Sequence, residues 1–571
     1  MDMNLKERNR RGGKCVLVTL LASLALYPVF FRLNVLESNY EFFDITSMVS
    51  PLAWVYLSIM CFLLSLHMLL EQKCDLVHVM VATLLVYGLY SISQYPTVIN
   101  RDVWVHGRSV KQLIVYGATQ LGGDYPKWWP GAFTLCAVSS ITSGIDVVNA
   151  SFILVGVLMI LSSTLLYLLG RETVGHQWAG LVPILYYVSD AHVFRWMGRD
   201  HYSPHSLGFA LCLLVLYSIL RMIRTNSSRA VSATLVVVVG SIVVSHPFSS
   251  FSLALSLLGI FALGKTGRIK LGVSASLLWS ALIMWFAWWM YNSPFTFEEV
   301  VRTFDFAVYG FLEPIKLYGF ASVTQEPLTW YGRILRDLYF KPLLLVVTSL
   351  SILVMFVEHR TKKVSFLTGV FLGSTLVSFV SLMTPTGTYF TQFSQVLMVF
   401  LLPTCCIASR LFVNQRVASS GTLIMIPLLL VPSFLTMFTY SCEYAEMTHT
   451  WEIAGFGFCS SHFSDTRSVG TDSLTEAAYR FFDLAHTPGA GAAYLDQMNL
   501  TNRIESHPIF FDGNVIMRSL RQELTYDRIH TTFGKRCDLW NMVDVNLASD
   551  RSYNRICDNS YLQLYGALSV R

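Results

Sequence analysis

Two segments, Arg101-Asp102-Val103-Trp104-Val105-His106-Gly107 and Arg199-Asp200-His201-Tyr202-Ser203-Pro204-His205, put acids, cations and histidines directly behind apolar stretches. Ionisable groups at such ends are costly to desolvate, which marks them as functional-site candidates. A carboxylate set between hydrophobic walls can take a proton from a hydroxyl. Asp102 is placed for that task; Asp200 and His201 can hold an acceptor, a phosphate or a metal. Plainer roles compete with these. Aspartate is a favoured helix N-cap, and a helix is expected over 103–117, just after Asp102. Arginines at a membrane end can snorkel. Arg101, His106, Arg199 and His205 are assigned to substrate binding by their neighbourhood, and Pro204 suits the first turn of a helix.

A third group is cationic. Arg333, Arg336 and Lys341 lie where a polar stretch leads into the apolar segment near 340–357, and Arg302 lies earlier in the same stretch. Arginine grips phosphate with two parallel hydrogen bonds, so these four are the candidates for a donor phosphate, with lipid-headgroup contact or local pairing with Asp337 as the simpler roles. His246-Pro247 divides two apolar segments and is expected in a tight turn, and Tyr389-Phe390-Thr391-Gln392 opens another apolar segment. His246, Tyr389 and Gln392 complete the substrate-binding candidates.

The elements that must carry these residues are apolar helices. The chain has 571 residues, 53% hydrophobic and only 13% charged, where a soluble domain carries about 25% charged residues. At ~20 apolar residues per crossing, about thirteen spans are expected. They lie near 15–31, 51–70, 76–93, 150–169, 177–191, 204–222, 230–246, 249–264, 271–291, 340–357, 364–383, 389–411 and 420–440. Lys73, Arg171, Arg221, Arg224, Arg229, Lys265, Arg268, Lys270 and Arg360 then share one side with the basic N-terminus, which the positive-inside asymmetry makes cytoplasmic. A crossing at 128–145 would reverse the later loops, so this stretch is expected as a helix along the outer interface, anchored by Trp128 and Trp129. Trp285, Trp288, Trp289 and Tyr291 are read as an interfacial belt.

The expected fold class is thus mainly α: a polytopic membrane protein with juxtamembrane helices in its first external loop and a small extracytoplasmic C-terminal domain, α/β or α+β. The expected domains are 1–75, with a basic segment and two leading helices; 76–440, the membrane module with the site; and 441–571, outside. Cys537 and Cys557, about twenty residues apart in a compartment expected to be oxidising, are expected to pair. There is no Walker A sequence and no GxGxxG after a strand, which argues against an ATP-driven pump and a nucleotide-sugar enzyme with a soluble catalytic domain. No nucleic-acid partner and no cofactor are expected.

The order of these features resembles the GT-C superfamily of polytopic glycosyltransferases. Asn100-Arg101-Asp102-Val103-Trp104-Val105-His106-Gly107 matches the acidic start of that family's first external loop, and 103–117 with 128–145 match its juxtamembrane helices. Arg195-Trp196-Met197-Gly198-Arg199-Asp200-His201 matches the second acidic loop. Tyr202-Ser203-Pro204-His205 and Ser245-His246-Pro247 bring the likeness closest to archaeal members that use polyprenyl-phosphate sugars. The resemblance covers roughly residues 76–440. Three marks depart from it: no WWDYG sequence, no DxD pair at 200–205 to hold a divalent metal, and no Asp-Glu pair, since Val103 follows Asp102. The resemblance implies an inverting transfer of one sugar from a polyprenyl (dolichyl) phosphate donor to a glycan, lipid or protein acceptor at the outer face. Asp102 would be the base, Asp200 and His201 would assist, and all would belong to one active site among membrane lipids. The alternative is a transporter or flippase; it predicts broken spans and an inverted repeat, and neither is visible in the sequence.

Overall fold

The computed structural model describes residues 13–19, 22, 51–71, 75–93, 101–118, 129–175, 202–225, 229–266, 275–292, 366, 368–370, 469–470, 515–519, 553–558 and 562–567. Among these residues the chain is mainly helical. The helices are α1 (Pro51–Glu71), α2 (Leu76–Ser93), α3 (Arg101–Tyr116), α4 (Gly131–Ser143), α5 (Val147–Val174), α6 (Pro204–Thr225), α7 (Arg229–Ser245), α8 (Pro247–Thr266) and α9 (Ala275–Asn292). Four strands follow: β1 (Val469–Gly470), β2 (Val515–Ser519), β3 (Tyr553–Asp558) and β4 (Leu562–Ala567). The chain forms two compact units, one of Met1–Ser93, Trp128–Ala132 and Phe152–Ser441, the other of Gln94–Lys127, Phe133–Ser151 and Cys442–Arg571.

Capping chemistry sets the helix limits. Asp146 Oδ1 accepts from the amides of Val148 (3.0 Å) and Asn149 (3.1 Å), which starts α5 before the expected residue 150. Gly175, at φ +81°, donates its amide to the Arg171 carbonyl at 2.7 Å and ends it. The 28 residues between rise about 42 Å. Val147–Thr173 and Pro204–Ile223 are long and apolar enough to cross a membrane. α4 has 13 residues and rises only about 20 Å, less than the ~30 Å of a bilayer's hydrocarbon.

In the first unit α6 packs on α7 and α8, and α9 packs on the same two helices. Small residues let α6 and α8 close on one another: Gly208 lies against Ser249, and Ser249, Ser252 and Ser256 are buried. On the other side, apolar side chains stand exposed at helical spacing. Val55, Ile59 and Phe62 line α1; Trp279, Ile283 and Phe286 line α9. Trp285 stacks on Phe251 (centroids 5.1 Å apart) and packs on Trp289 (4.9 Å). Trp289 is buried whereas Tyr291 is 82% exposed, so the aromatic group expected as a belt is partly bundle core.

Where α1 and α2 meet, Asp75 Oδ1 lies 2.7 Å from His78 Nδ1, and His78 Nε2 lies 2.6 Å from His67 Nδ1. The carboxylate makes His78 Nδ1 a donor, so its Nε2 accepts the Nδ1 proton of His67. The Asp75 amide is 3.1 Å from the same nitrogen, but the shorter ionic contact decides the tautomer.

In the second unit the sheet runs β1-β2-β4-β3, with β1 parallel to β2 and the other pairs antiparallel. Cys557 pairs with Leu564 beside a bulge, and Cys537 lies outside the described residues.

Candidate functional site

The first unit brings three of the singled-out segments to one end of the α6–α8 pair. Ser203 and Ser206 cap α6 reciprocally. The Ser206 amide donates to Ser203 Oγ at 3.4 Å, and the Ser203 amide donates to Ser206 Oγ at 3.3 Å. This is a capping box with serine in the place usual for glutamate. Pro204 opens the helix, as its lack of an amide proton favours, and His205 follows in the first turn.

His246 is the single residue between α7 and α8. Its amide donates to the Ile242 carbonyl (3.0 Å), and its carbonyl accepts from the Ser250 amide (3.3 Å), so it closes one helix and opens the next. Its side chain is the N-cap of α8: Nδ1 accepts from the Ser249 amide at 3.1 Å and lies 2.8 Å from Ser249 Oγ. An accepting Nδ1 puts the proton of the neutral ring on Nε2. The ring of His205 meets that of His246 edge to face, centroids 3.9 Å apart. The two histidines, 41 positions apart by number, are neighbours because Gly208 has no Cβ. One built there would stand 2.8 Å from Ser249 Cβ and 3.3 Å from His246 Cβ.

The third segment is Trp129-Pro130-Gly131-Ala132. Tyr202 Oη donates to the Ala132 carbonyl at 2.8 Å, with the ring buried. Gly131 approaches the end of α7 so closely that a Cβ would lie 2.6 Å from Ser245 Oγ and 3.0 Å from the Val244 carbonyl oxygen. Trp129 is 1% exposed. It is packed inside the unit and does not anchor an interface, a correction to the sequence expectation that follows from the close approach Gly131 permits.

In the second unit, Asp102 stands in the first turn of α3 with His106 one turn on. The side chains of Arg101 and Asp102 are not among those described. His106 is half-buried, its ring edge-on to Phe133 at 5.4 Å. Sequence reasoning missed the polar content of the same helix: Arg108, Ser109 and Gln112 are buried. Burial also holds the Lys111 ammonium below the usual lysine range, partly offset by the negative charge of Asp146. The signal was legible, since a 16-residue segment carrying Arg108, Lys111 and Gln112 at i, i+3 and i+4 has a polar face.

Arg199, Asp200, His201, Arg302, Arg333, Arg336, Lys341, Tyr389 and Gln392 lie outside the described residues. Among the described residues no three His, Cys, Asp or Glu side chains form a metal-ligating group.

No protein-family model and no curated protein matches the chain. Solved structures do. The Archaeoglobus fulgidus oligosaccharyltransferase in complex with zinc and sulfate is similar over 86% of this chain and 73% of that one, with a TM-score of 0.51 and 12% identity. The same enzyme's apo form scores 0.49 at 11% identity, over 91% of this chain and 75% of that one. Tethered by a disulfide to an acceptor peptide with an NVT sequon, it scores 0.48 at 12%, over 91% and 74%. At 12% identity the first likeness is one of fold alone.

Proposed function

We propose that the chain is a membrane glycosyltransferase that moves a sugar from a polyprenyl-phosphate donor to a hydroxyl of a glycan, lipid or protein acceptor at the outer membrane face. The observation that carries this reading is the meeting of His205 and His246, two helix-opening histidines drawn together from separate motifs at one end of a bundle of GT-C type. Exposed apolar rows such as Val55–Ile59–Phe62 and Trp279–Ile283–Phe286 support a lipid surrounding, since soluble proteins rarely present such rows to water.

In the proposed reaction the acceptor oxygen attacks the anomeric carbon, the bond from that carbon to the phosphate oxygen breaks, and polyprenyl phosphate leaves. The acceptor's proton passes to the Asp102 carboxylate, and the anomeric configuration inverts. Asp200 and His201 assist the acceptor, while Arg302, Arg333, Arg336 and Lys341 hold the phosphate. His246, with His205 beside it, fixes the starts of α6 and α8 at the end of the bundle where the proposed site lies.

Incubating the purified full chain with a panel of polyprenyl-phosphate sugars and measuring released polyprenyl phosphate tests this reading. Release that needs both donor and acceptor is the expected result. No release from any donor, by protein that is folded and monodisperse, overturns it.

A further inference from the structure

Trp285 and Trp289 sit one turn apart near the end of α9, on the flank that meets α8. Trp285 stacks on Phe251 of α8 with centroids 5.1 Å apart, and its ring lies 4.9 Å from that of Trp289. Both indole nitrogens are covered, yet among the described residues neither Nε1 has a hydrogen-bond partner. Trp289 is buried as a whole, and Trp285 is partly exposed. A buried tryptophan usually finds an acceptor for its N–H, and a covered donor without one is costly. Two such donors in adjoining rings point to an acceptor from outside the chain.

Chemistry narrows the class of that acceptor. In the cluster Phe251–Trp285–Trp289 the polar side-chain atoms are the two indole nitrogens. A water there would accept from both but find nothing in the cluster to take its own protons, and an internal water needs about two to four partners. The cluster calls for a pure acceptor. The two helices are also nearly uncharged: α9 has no Asp, Glu, Lys or Arg, and α8 has Lys265 alone, at its far end. A phosphate monoester would lack a countercharge from either helix, whereas the phosphodiester of a zwitterionic lipid brings its own cation. The neighbouring surface suits a lipid chain. Trp279, Ile283, Phe286 and Met290 form an exposed apolar row on α9. Trp285 and Trp289 each stand one residue, about 100° round the axis, from a member of that row. From Asn292 the two indoles lie about 10 and 5 Å along the axis, the zone in which tryptophans meet the headgroup level of a bilayer.

We infer that the seam between α8 and α9 is a binding site for a zwitterionic phospholipid. Its phosphodiester oxygens accept from Trp285 Nε1 and Trp289 Nε1, and one chain lies along the row Trp279–Ile283–Phe286–Met290. Because both nitrogens are covered, the lipid head enters the seam beside the partly exposed Trp285 ring and does not merely rest on the surface. The inference shares with the proposed function only the membrane setting of the bundle; it needs no sugar chemistry, and its test measures none.

The test is native mass spectrometry of the full chain in micelles doped with phosphatidylcholine, with diacylglycerol of the same chains and polyprenyl phosphate as comparison probes. The wild type should retain phosphatidylcholine about tenfold better than diacylglycerol, which lacks the phosphodiester. Each tryptophan is then replaced singly by benzothienylalanine, which keeps the bicyclic ring and removes the N–H. Either change should weaken phosphatidylcholine retention about tenfold, as expected for one hydrogen bond to a charged group. In lipid-free micelles the same variants should melt at or above the wild-type temperature, because the deleted donor has no acceptor there. An N–H with a purely structural role would do the reverse, lowering the melting temperature and leaving lipid retention alone. The wild-type comparison of phosphatidylcholine with diacylglycerol stays readable if a variant fails to fold. Equal retention of those two lipids overturns the site. So does equal phosphatidylcholine retention by the wild type and both folded variants, the result expected of an internal water. Preference for polyprenyl phosphate over phosphatidylcholine overturns the phospholipid assignment and gives the seam to the glycosyl donor instead.

Discussion

Replacing Gly208 by alanine tests the contact on which the histidine pair depends. In a helix interior the change alone favours folding by about 0.5–1 kcal/mol, because glycine loses more backbone freedom. Here the new Cβ would stand 2.8 Å from Ser249 Cβ and 3.3 Å from His246 Cβ. Ser249 cannot swing aside without moving α8, because its amide and hydroxyl both meet His246 Nδ1. Overpacking of this kind costs about 1–3 kcal/mol, so the net loss is about 0–2.5 kcal/mol, centred near 1 kcal/mol. The separation of α6 from α8 would part the His205 and His246 rings, so sugar transfer should fall along with stability. Adding Ser249→Gly removes the obstructing atoms and should restore packing, but it also deletes the hydroxyl beside His246. The double variant should regain melting temperature and not activity, the non-additivity expected of touching residues. Thermal unfolding in detergent, followed by tryptophan fluorescence, with the polyprenyl phosphate release assay alongside, provides both readings. A Gly208→Ala protein that melts at or above the wild-type temperature with full activity would refute the claim that this close approach builds the site.

Three further outcomes are expected. α3 begins at Arg101, so Asp102 stands within its first turn and is not the N-cap expected from the sequence; Asp102→Asn keeps the size of the side chain and should fold normally while losing about 10²–10⁴-fold in transfer rate, and an Asn variant with full activity would leave Asp102 with a structural role alone. Tyr202→Phe deletes the hydroxyl that donates to the Ala132 carbonyl at 2.8 Å and should cost about 0.5–1.5 kcal/mol, the net worth of one hydrogen bond, read as a lower melting temperature. For Lys111 the folded state disfavours the charged form, chiefly by burial. Its penalty is therefore full below the folded pKa and relieved as pH rises through it toward the unfolded value. Lys111→Met should be the more stable protein at neutral pH, with an advantage that shrinks in alkaline buffer; a gap that is flat with pH would argue against a buried ammonium.

Much of the helical frame was legible because its signals are local. The start of α6 at Pro204 and the one-residue turn at His246 follow from proline chemistry and from apolar runs that stop. The limits of α2 at Leu76 and Ser93 coincide with the expected segment. α5 ran longer than its apolar core because Asp146 and Gly175 cap it, and both residues were readable as caps. What was not legible depends on partners distant in sequence. Nothing in the local pattern tells that Trp129 and Trp289 turn inward while Tyr291 stays out. Nor does it tell that Glu172 meets Arg221, or that His67, His78 and Asp75 form a chain of hydrogen bonds. Periodicity reports which face of a helix is apolar; it does not report which helix that face meets.

The absence of any spacer between α7 and α8 has a consequence for how this region can vary. One extra residue beside His246 would turn everything downstream by about 100° about the helix axis. Ser249, Ser252 and Ser256 would then rotate off the row that receives α6, and bulkier neighbours would arrive where Gly208 expects a serine. A length change here is thus a change of register for two helices at once, unlike the slack a surface loop provides. Natural variants and engineered insertions should avoid this elbow, and a library of single-residue insertions across 240–252 would map its intolerance as a sharp gap.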